Sequence, residues 1–164
     1  MHWISSSGIH AHTFQPSTMK LLPILAILSL SLCSTMAGLF GRTQSYAVKG
    51  RLMCGSEMAG NVRVILVDKD TGGPDDELDA GYTSANGQFS LSGSASDATP
   101  LDKIDVELKI YHDCNDGVTP CQRKWKIILP SEYITKGKDP KKTFDLGEVN
   151  LEVEMDDEER DCIH

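Results

Sequence analysis

Basic charge is scarce in this chain. Its 164 residues carry 16 lysines and arginines against 24 aspartates and glutamates, a formal net charge of −8. Such a balance argues against nucleic acid as a partner and against simple electrostatic docking on anionic lipid. Helical periodicity is missing as well, beyond a single turn expected at Ser131–Ile134 after Pro130. No apolar run reaches the roughly 20 residues needed to cross a bilayer, so the chain is not expected to be membrane-spanning. There is no Gly-x-Ser-x-Gly elbow and no glycine-rich phosphate loop, which removes the hydrolases and nucleotide binders built on those turns. No Asn-x-Ser/Thr sequon and no internal repeat occur.

What the N-terminus does contain is an address. Met19-Lys20 precedes an apolar run, Leu21 to Leu32, which leads to Cys33-Ser-Thr-Met-Ala37-Gly38. A basic residue, a short apolar core and small residues at Thr35 and Ala37 read as a secretory signal cleaved after Ala37. Residues 1–18 are polar and fit no basic leader, so Met19 is the expected start, with residues 1–37 as extension and signal. The domain is then expected over 38–153, followed by an acidic tail over 154–164. Removing Lys20 with the signal leaves 15 basic residues (16 less one) against 24 acidic ones.

Alternation dominates the rest. Tyr46, Val48, Leu52 and Cys54 share one side of a first strand, with Lys49 and Arg51 on the other. Val62–Val67 is a β-branched run, and Leu78–Thr83 is a weaker third strand. Asn86-Gly87 is a strong hairpin signal, because the favoured two-residue turns need positive φ. Phe89 and Leu91 then alternate with polar neighbours. Ile104, Val106, Leu108, Ile110, His112 and Cys114 alternate with Asp105, Glu107, Lys109, Tyr111 and Asp113, the clearest period of two in the chain. Arg123, Trp125, Ile127 and Leu129 mark the next strand. Phe144 and Leu146 fall on one phase and Val149, Leu151 and Val153 on the other, so a bulge is expected at Gly147. About seven short strands separated by turns predict an all-β antiparallel sandwich of Greek-key type.

Five cysteines are present, and Cys33 falls inside the signal. The remaining four, Cys54, Cys114, Cys121 and Cys162, predict two disulfides in a secreted chain, each contributing about 2–4 kcal/mol. Closing the short loop between Cys114 and Cys121 would leave Cys54 for Cys162. The competing pairing joins Cys54 to Cys114, since both fall on the apolar side of their strands. A zinc set of His112, Cys114, Cys121 and His164 has no recognised spacing, and thiols in an oxidising compartment pair instead.

Few residues offer chemistry. His112, at a strand end beside Cys114, is the most tempting catalyst, but a histidine at the rim of a core is usually structural. Six carboxylates crowd the stretch Asp68–Asp79, without the spacing of a calcium loop, and read as a solvated connection. Arg123, Lys124 and Lys126 open a basic stretch that continues through Lys136, Lys138, Lys141 and Lys142 and reads mainly as a solvated face. Its first part, with His112 and the loop between Cys114 and Cys121, is the candidate binding surface. No metal or cofactor is expected.

Nine pieces of the chain form a recognisable order: Arg42-Thr-Gln-Ser45, Val48-Lys-Gly-Arg-Leu-Met-Cys54, Val62 to Asp68, Gly87-Gln-Phe89 with Leu91-Ser-Gly93, Tyr111-His-Asp-Cys114, Cys121 with Arg123-Lys124, Ile128-Leu-Pro130, Asp145-Leu-Gly-Glu-Val-Asn-Leu151 and Glu159-Arg-Asp-Cys-Ile-His164. Their order and spacing resemble the nematode transthyretin-like family. The resemblance implies a transthyretin-like β-sandwich, secretion, and binding of hydrophobic ligands or cell-surface partners. Related hydroxyisourate hydrolases end in Tyr-Arg-Gly-Ser/Thr, whereas this chain ends in Asp-Cys-Ile-His164, so that enzyme is not expected. The hormone contacts of transthyretin itself find no match here. The expected function is therefore a secreted, non-enzymatic binding protein for a small hydrophobic molecule, a lipid or an extracellular protein. The alternatives are a hydrolase centred on His112 and a structural matrix component.

Overall fold

One long strand organises half of the molecule. In the computed structural model, which describes residues 42–96 and 103–163, β1 (Thr43–Cys54) pairs on one side with β5 (Gln88–Ser96), from Thr43 against Ser96 to Arg51 against Gln88. Its end also forms a short hairpin with β2 (Glu57–Met58). On its other side lie β8 (Thr135–Lys136), antiparallel, and β9 (Phe144–Asn150), parallel. The chain reverses between β8 and β9, so both cannot run against β1. This one parallel pair departs from the expected antiparallel pattern. The register slips between Lys49 against Asp145 and Arg51 against Glu148, and Gly147 there has φ +77°, so the expected bulge is present.

The second sheet is fully antiparallel. Its order is β10 (Glu159–Asp161), β7 (Gln122–Ile128), β6 (Val106–His112), β3 (Arg63–Asp68) and β4 (Asp76–Tyr82). The described residues thus hold ten strands rather than about seven. The extra ones, β2, β8 and β10, span two or three residues, too few to show a period. A 3-10 turn occupies Ser131–Tyr133, where a helical turn was expected.

The alternating positions meet between the sheets. Tyr46, Val48, Leu52, Phe89 and Leu91 of one sheet pack against Val64, Leu66, Val106, Leu108, Ile110 and Trp125 of the other, all buried. Each such large side chain contributes about 1.5–3 kcal/mol of burial. The phenol of Tyr46 donates to the Pro130 carbonyl at 3.1 Å. The sandwich is sealed along one side where β4 meets β5: a Cβ at Gly93 would lie 2.3 Å from the Leu78 carbonyl oxygen.

Two expectations are corrected. Asn86-Gly87 does not close a hairpin within one sheet, but carries the chain from β4 in the second sheet to β5 in the first. Gly87 alone has positive φ there, +74°, and accepts the Leu52 N–H. The disulfides join Cys54 to Cys114 and Cys121 to Cys162, not Cys114 to Cys121. Cys54 ends β1 and Cys114 follows β6, both turned toward the core, so their bridge ties the two sheets together. Cys121 precedes Gln122, which pairs with Asp161, so Cys162 arrives beside it. The acidic tail is thereby pinned into the sheet as β10. The segment 1–37, with the expected start at Met19 and cleavage after Ala37, lies outside the described residues, as does His164. No helix among the described residues is long and apolar enough to cross a membrane.

Candidate functional site

The four residues expected to share a surface are divided by the sheet. β7 alternates, so Arg123 and Trp125 face the core while Lys124 and Lys126 face outward. On the outer side, Lys124 reaches Asp161 at 3.2 Å, and both Lys124 and Lys126 pair with Glu159. The carboxylates of β10 therefore offset the basic face that the sequence suggested. Arg123 grouped with Trp125, Ile127 and Leu129 in the alternating pattern, and that signal already placed it inside.

Arg123 is 4% exposed, yet every guanidinium N–H finds an acceptor. Nε and Nη2 donate to the two carboxylate oxygens of Glu158, each at 2.7 Å. Nη1 donates to the carbonyls of Cys114 and Leu151, and Nη2 also donates to Val153. One side chain thus clamps the loop after β6, the turn after β9 and the approach to β10. The Arg123 bond holds the Glu158 carboxyl below the usual carboxylate range. Trp125 Nε1 donates to the same carboxylate at 2.8 Å.

His112 lies 5.1 Å from the Trp125 ring, edge to face, and is 2% exposed. Its Nδ1 accepts the Cys114 N–H at 3.3 Å, and Nε2 has no partner among the described residues. Burial, with the neighbouring Arg123 charge, pushes its pKa down to about 4. At neutral pH it is an uncharged core residue with no nucleophile in hydrogen-bond contact. Cys114 and Cys121 are spent in separate disulfides, and among the described residues no three His, Cys, Asp or Glu side chains are placed to hold a metal ion.

Two of the cavities among the described residues lie elsewhere. The larger, about 720 Å³, opens on the solvent side of the first sheet. It is crossed by the ion pairs Lys49–Asp145 at 3.2 Å and Arg51–Glu148 at 3.4 Å, so its charges answer one another. The second, about 550 Å³, sits at the end of the sandwich where β6 begins and β7 ends. Its lining is mixed: the almost fully buried Ile104, Val106 and Leu129, Ile128 at 81% exposed, and the polar Lys69, Asp105, Glu107 and Ser131. Sequence reading passed over this site, because Glu107 looked like one more solvent-facing residue of an alternating strand.

Residues 49–130 match the family model described as TTR-52, transthyretin-like family. Transthyretin-like protein 46 of Caenorhabditis elegans is 50% identical over 147 residues, covering 88% of this chain and 78% of that protein. The chain belongs to the transthyretin-like family. Transthyretin-like protein 5 of the same organism is 44% identical over 84% of this chain and 98% of its own length. Transthyretin-like protein 33 is 45% identical over 74% and 84%. The matched stretch of the family model contains Cys54, Cys114, His112 and Arg123 but stops short of Glu158 and Cys162. In this transthyretin-like chain, the counter-ion that satisfies Arg123 comes from beyond that stretch.

Proposed function

We propose that this transthyretin-like protein is a secreted extracellular binding protein that carries a small hydrophobic or lipid-like ligand and performs no catalysis. The observation carrying this reading is the contrast between its sites. The groups able to do covalent chemistry are consumed by structure: His112 is buried and neutral, and the four described cysteines are paired. The end cavity of about 550 Å³, with Ile128 among its lining residues, has the size of a small-ligand site. Two disulfides suit an oxidising compartment, and the signal read at Met19–Ala37 supplies a route to it.

The test is expression through a eukaryotic secretory pathway, followed by intact and native mass spectrometry of the medium without reductant. A chain beginning at Gly38, four hydrogens lighter than its reduced form and carrying adducts of a few hundred daltons, is the expected result. Retention in the cell, free thiols, or hydrolytic turnover abolished by His112→Ala would overturn it.

A further inference from the structure

The two disulfides are not equally reachable. Cys114 is 8% exposed and Cys54 packs against the core, so the bridge between the sheets is shielded. Cys162 is exposed and Cys121 half-buried, so the bridge that pins the tail meets solvent. Thiol–disulfide exchange requires direct contact with a sulfur, and access therefore separates the two. What the outer bridge holds is slight by itself. β10 is three residues long and stands at the edge of the second sheet, against β7. Its outer-face contacts are ion pairs of Glu159 and Asp161 with Lys124 and Lys126, and pairs open to water add little. Its firmest hold is the bidentate contact of Arg160 with Asp116. A strand this short is marginal unless tethered, and the Cys121–Cys162 link is the tether. Beneath it lie the backbone positions Gln122, Arg123 and Lys124 that pair with β10. Among the described residues, the ion pairs of Lys124 and Lys126 are all made with β10.

From this arrangement we propose that β10 is a displaceable strap over an interaction edge. Once a dithiol opens Cys121–Cys162, the β7 edge takes a strand of another protein that carries carboxylates at alternate positions. One thiolate of the dithiol attacks the exposed Cys162 sulfur. The Cys121–Cys162 bond breaks as a mixed disulfide forms, and Cys121 leaves as a thiolate that takes up a proton. The second thiolate then closes on the first and releases Cys162. Two electrons and two protons pass to the bridge, and the dithiol becomes a disulfide. Glu158 precedes the strap and stays with Arg123, so the buried pair survives the opening. Carboxylates two residues apart fall on one side of a strand and reproduce Glu159 and Asp161. Main-chain bonds to the edge supply affinity, and the two lysines select for acidic side chains. A basic strand would set like charges opposite each other. The proposal goes beyond the carrier reading and does not depend on it.

The test begins with the oxidised, secreted chain under graded dithiothreitol, with alkylation of freed thiols and peptide mapping. Cys121 and Cys162 should be alkylated about tenfold faster than Cys54 and Cys114. Binding is then followed with a fluorescent peptide copying residues 157–163 with Cys162→Ser. The partly reduced parent, and a chain with Cys121→Ser and Cys162→Ser, should bind it about tenfold more tightly than the oxidised chain. Amide shifts should fall on Gln122 to Lys126, and the affinity should drop with added salt. A peptide that also carries Glu159→Lys and Asp161→Lys should not bind. Adding Lys124→Glu and Lys126→Glu to the doubly substituted chain should abolish binding of the first peptide. A chain ending at Glu158, with Cys121→Ser, removes the strap outright. Peptide binding to that chain but not to the reduced full chain would show that the bridge is not the gate, and would overturn the proposal. Equal reactivity of the two bridges, equal binding to the oxidised chain, or no binding to any form would overturn it as well.

Discussion

Arg123 and Glu158 meet side-on, Nε to one carboxylate oxygen and Nη2 to the other, both at 2.7 Å, inside the edge of the sandwich. Their side chains are only 5% and 16% exposed, so the pair is largely shielded from water and salt. Removing one partner strands the other, and a stranded buried charge costs about 3–5 kcal/mol. Glu158→Ala should therefore destabilise the fold by about that amount, although it lies four residues from Cys162 in an acidic tail. Exchanging both residues, Arg123→Met with Glu158→Leu, should recover much of the loss, since apolar packing often matches a buried pair. Urea unfolding of the two variants checks this. A loss under about 1 kcal/mol for Glu158→Ala would show the tail to be solvated after all.

His112 makes stability depend on pH. Its folded pKa, about 4, lies below the ordinary 6.5 because burial disfavours the imidazolium. The unfolded chain therefore binds this proton first. Stability from this group is intact above about pH 6.5 and falls as pH drops toward 4. A shift from 6.5 to about 4 corresponds to at most about 3 kcal/mol. Glu158 acts in a lower window: Arg123 depresses its pKa, so its contribution begins to fall as pH drops to the ordinary value of 4.5 and is gone only below its lowered folded value. Urea midpoints at about pH 7.5, 6.5 and 5.5, above the carboxylate range, should fall stepwise in the parent protein. They should stay nearly level in His112→Phe over the same range, and parallel slopes would remove His112 as the cause.

The strands were legible wherever burial imposes a period on side chains. Ile104 to Ile110 and Tyr46 to Leu52 point inward as their alternation required. The short strands β2, β8 and β10 were not legible, since two or three residues carry no period and owe their pairing to neighbours. The basic surface failed for a different reason. Lys124 and Lys126 were read as a local charge run, but the carboxylates that answer them, Glu159 and Asp161, lie more than thirty residues away and become neighbours only through β10. Glu107 escaped notice because alternation says which side a residue faces. It does not say whether that side is wet.

Disulfide connectivity is the plainest structural claim to check. Non-reduced proteolysis should release peptides linking Cys54 to Cys114 and Cys121 to Cys162, separated by 60 and 41 residues. Loops of these lengths give each bridge about 4 kcal/mol in the chain-entropy view. The two should differ in what they protect. Replacing Cys54 and Cys114 with serine unties the two sheets and should lower protection from hydrogen exchange throughout β1 and β6. Replacing Cys121 and Cys162 should expose amides of β10 and β7 while the other strands keep theirs. A peptide joining Cys114 to Cys121 would sink this connectivity.

Gly93 tests how the sandwich is closed. It lies in β5, where a Cβ would come 2.3 Å from the Leu78 carbonyl oxygen and 2.9 Å from the Leu78 Cβ. The obstacle is backbone, which a rotamer change cannot relieve, so β4 and β5 would have to part. Asp79 accepts the Ser92 N–H at 2.8 Å across the same seam, and that bond would lengthen or break. Gly93→Ala should destabilise by about 1–3 kcal/mol as overpacking against a fixed neighbour does. The seam should open locally, with faster amide exchange at Ser92 and in β4 but not in β7 or β10. Gly72, which has nothing within 4 Å of a built Cβ, is the control for space, and its φ of +91° adds only backbone strain. If Gly93→Ala proves neutral, the seam is not held by close backbone contact, and the side chains of Leu78 and Leu91 would have to close the sandwich by themselves.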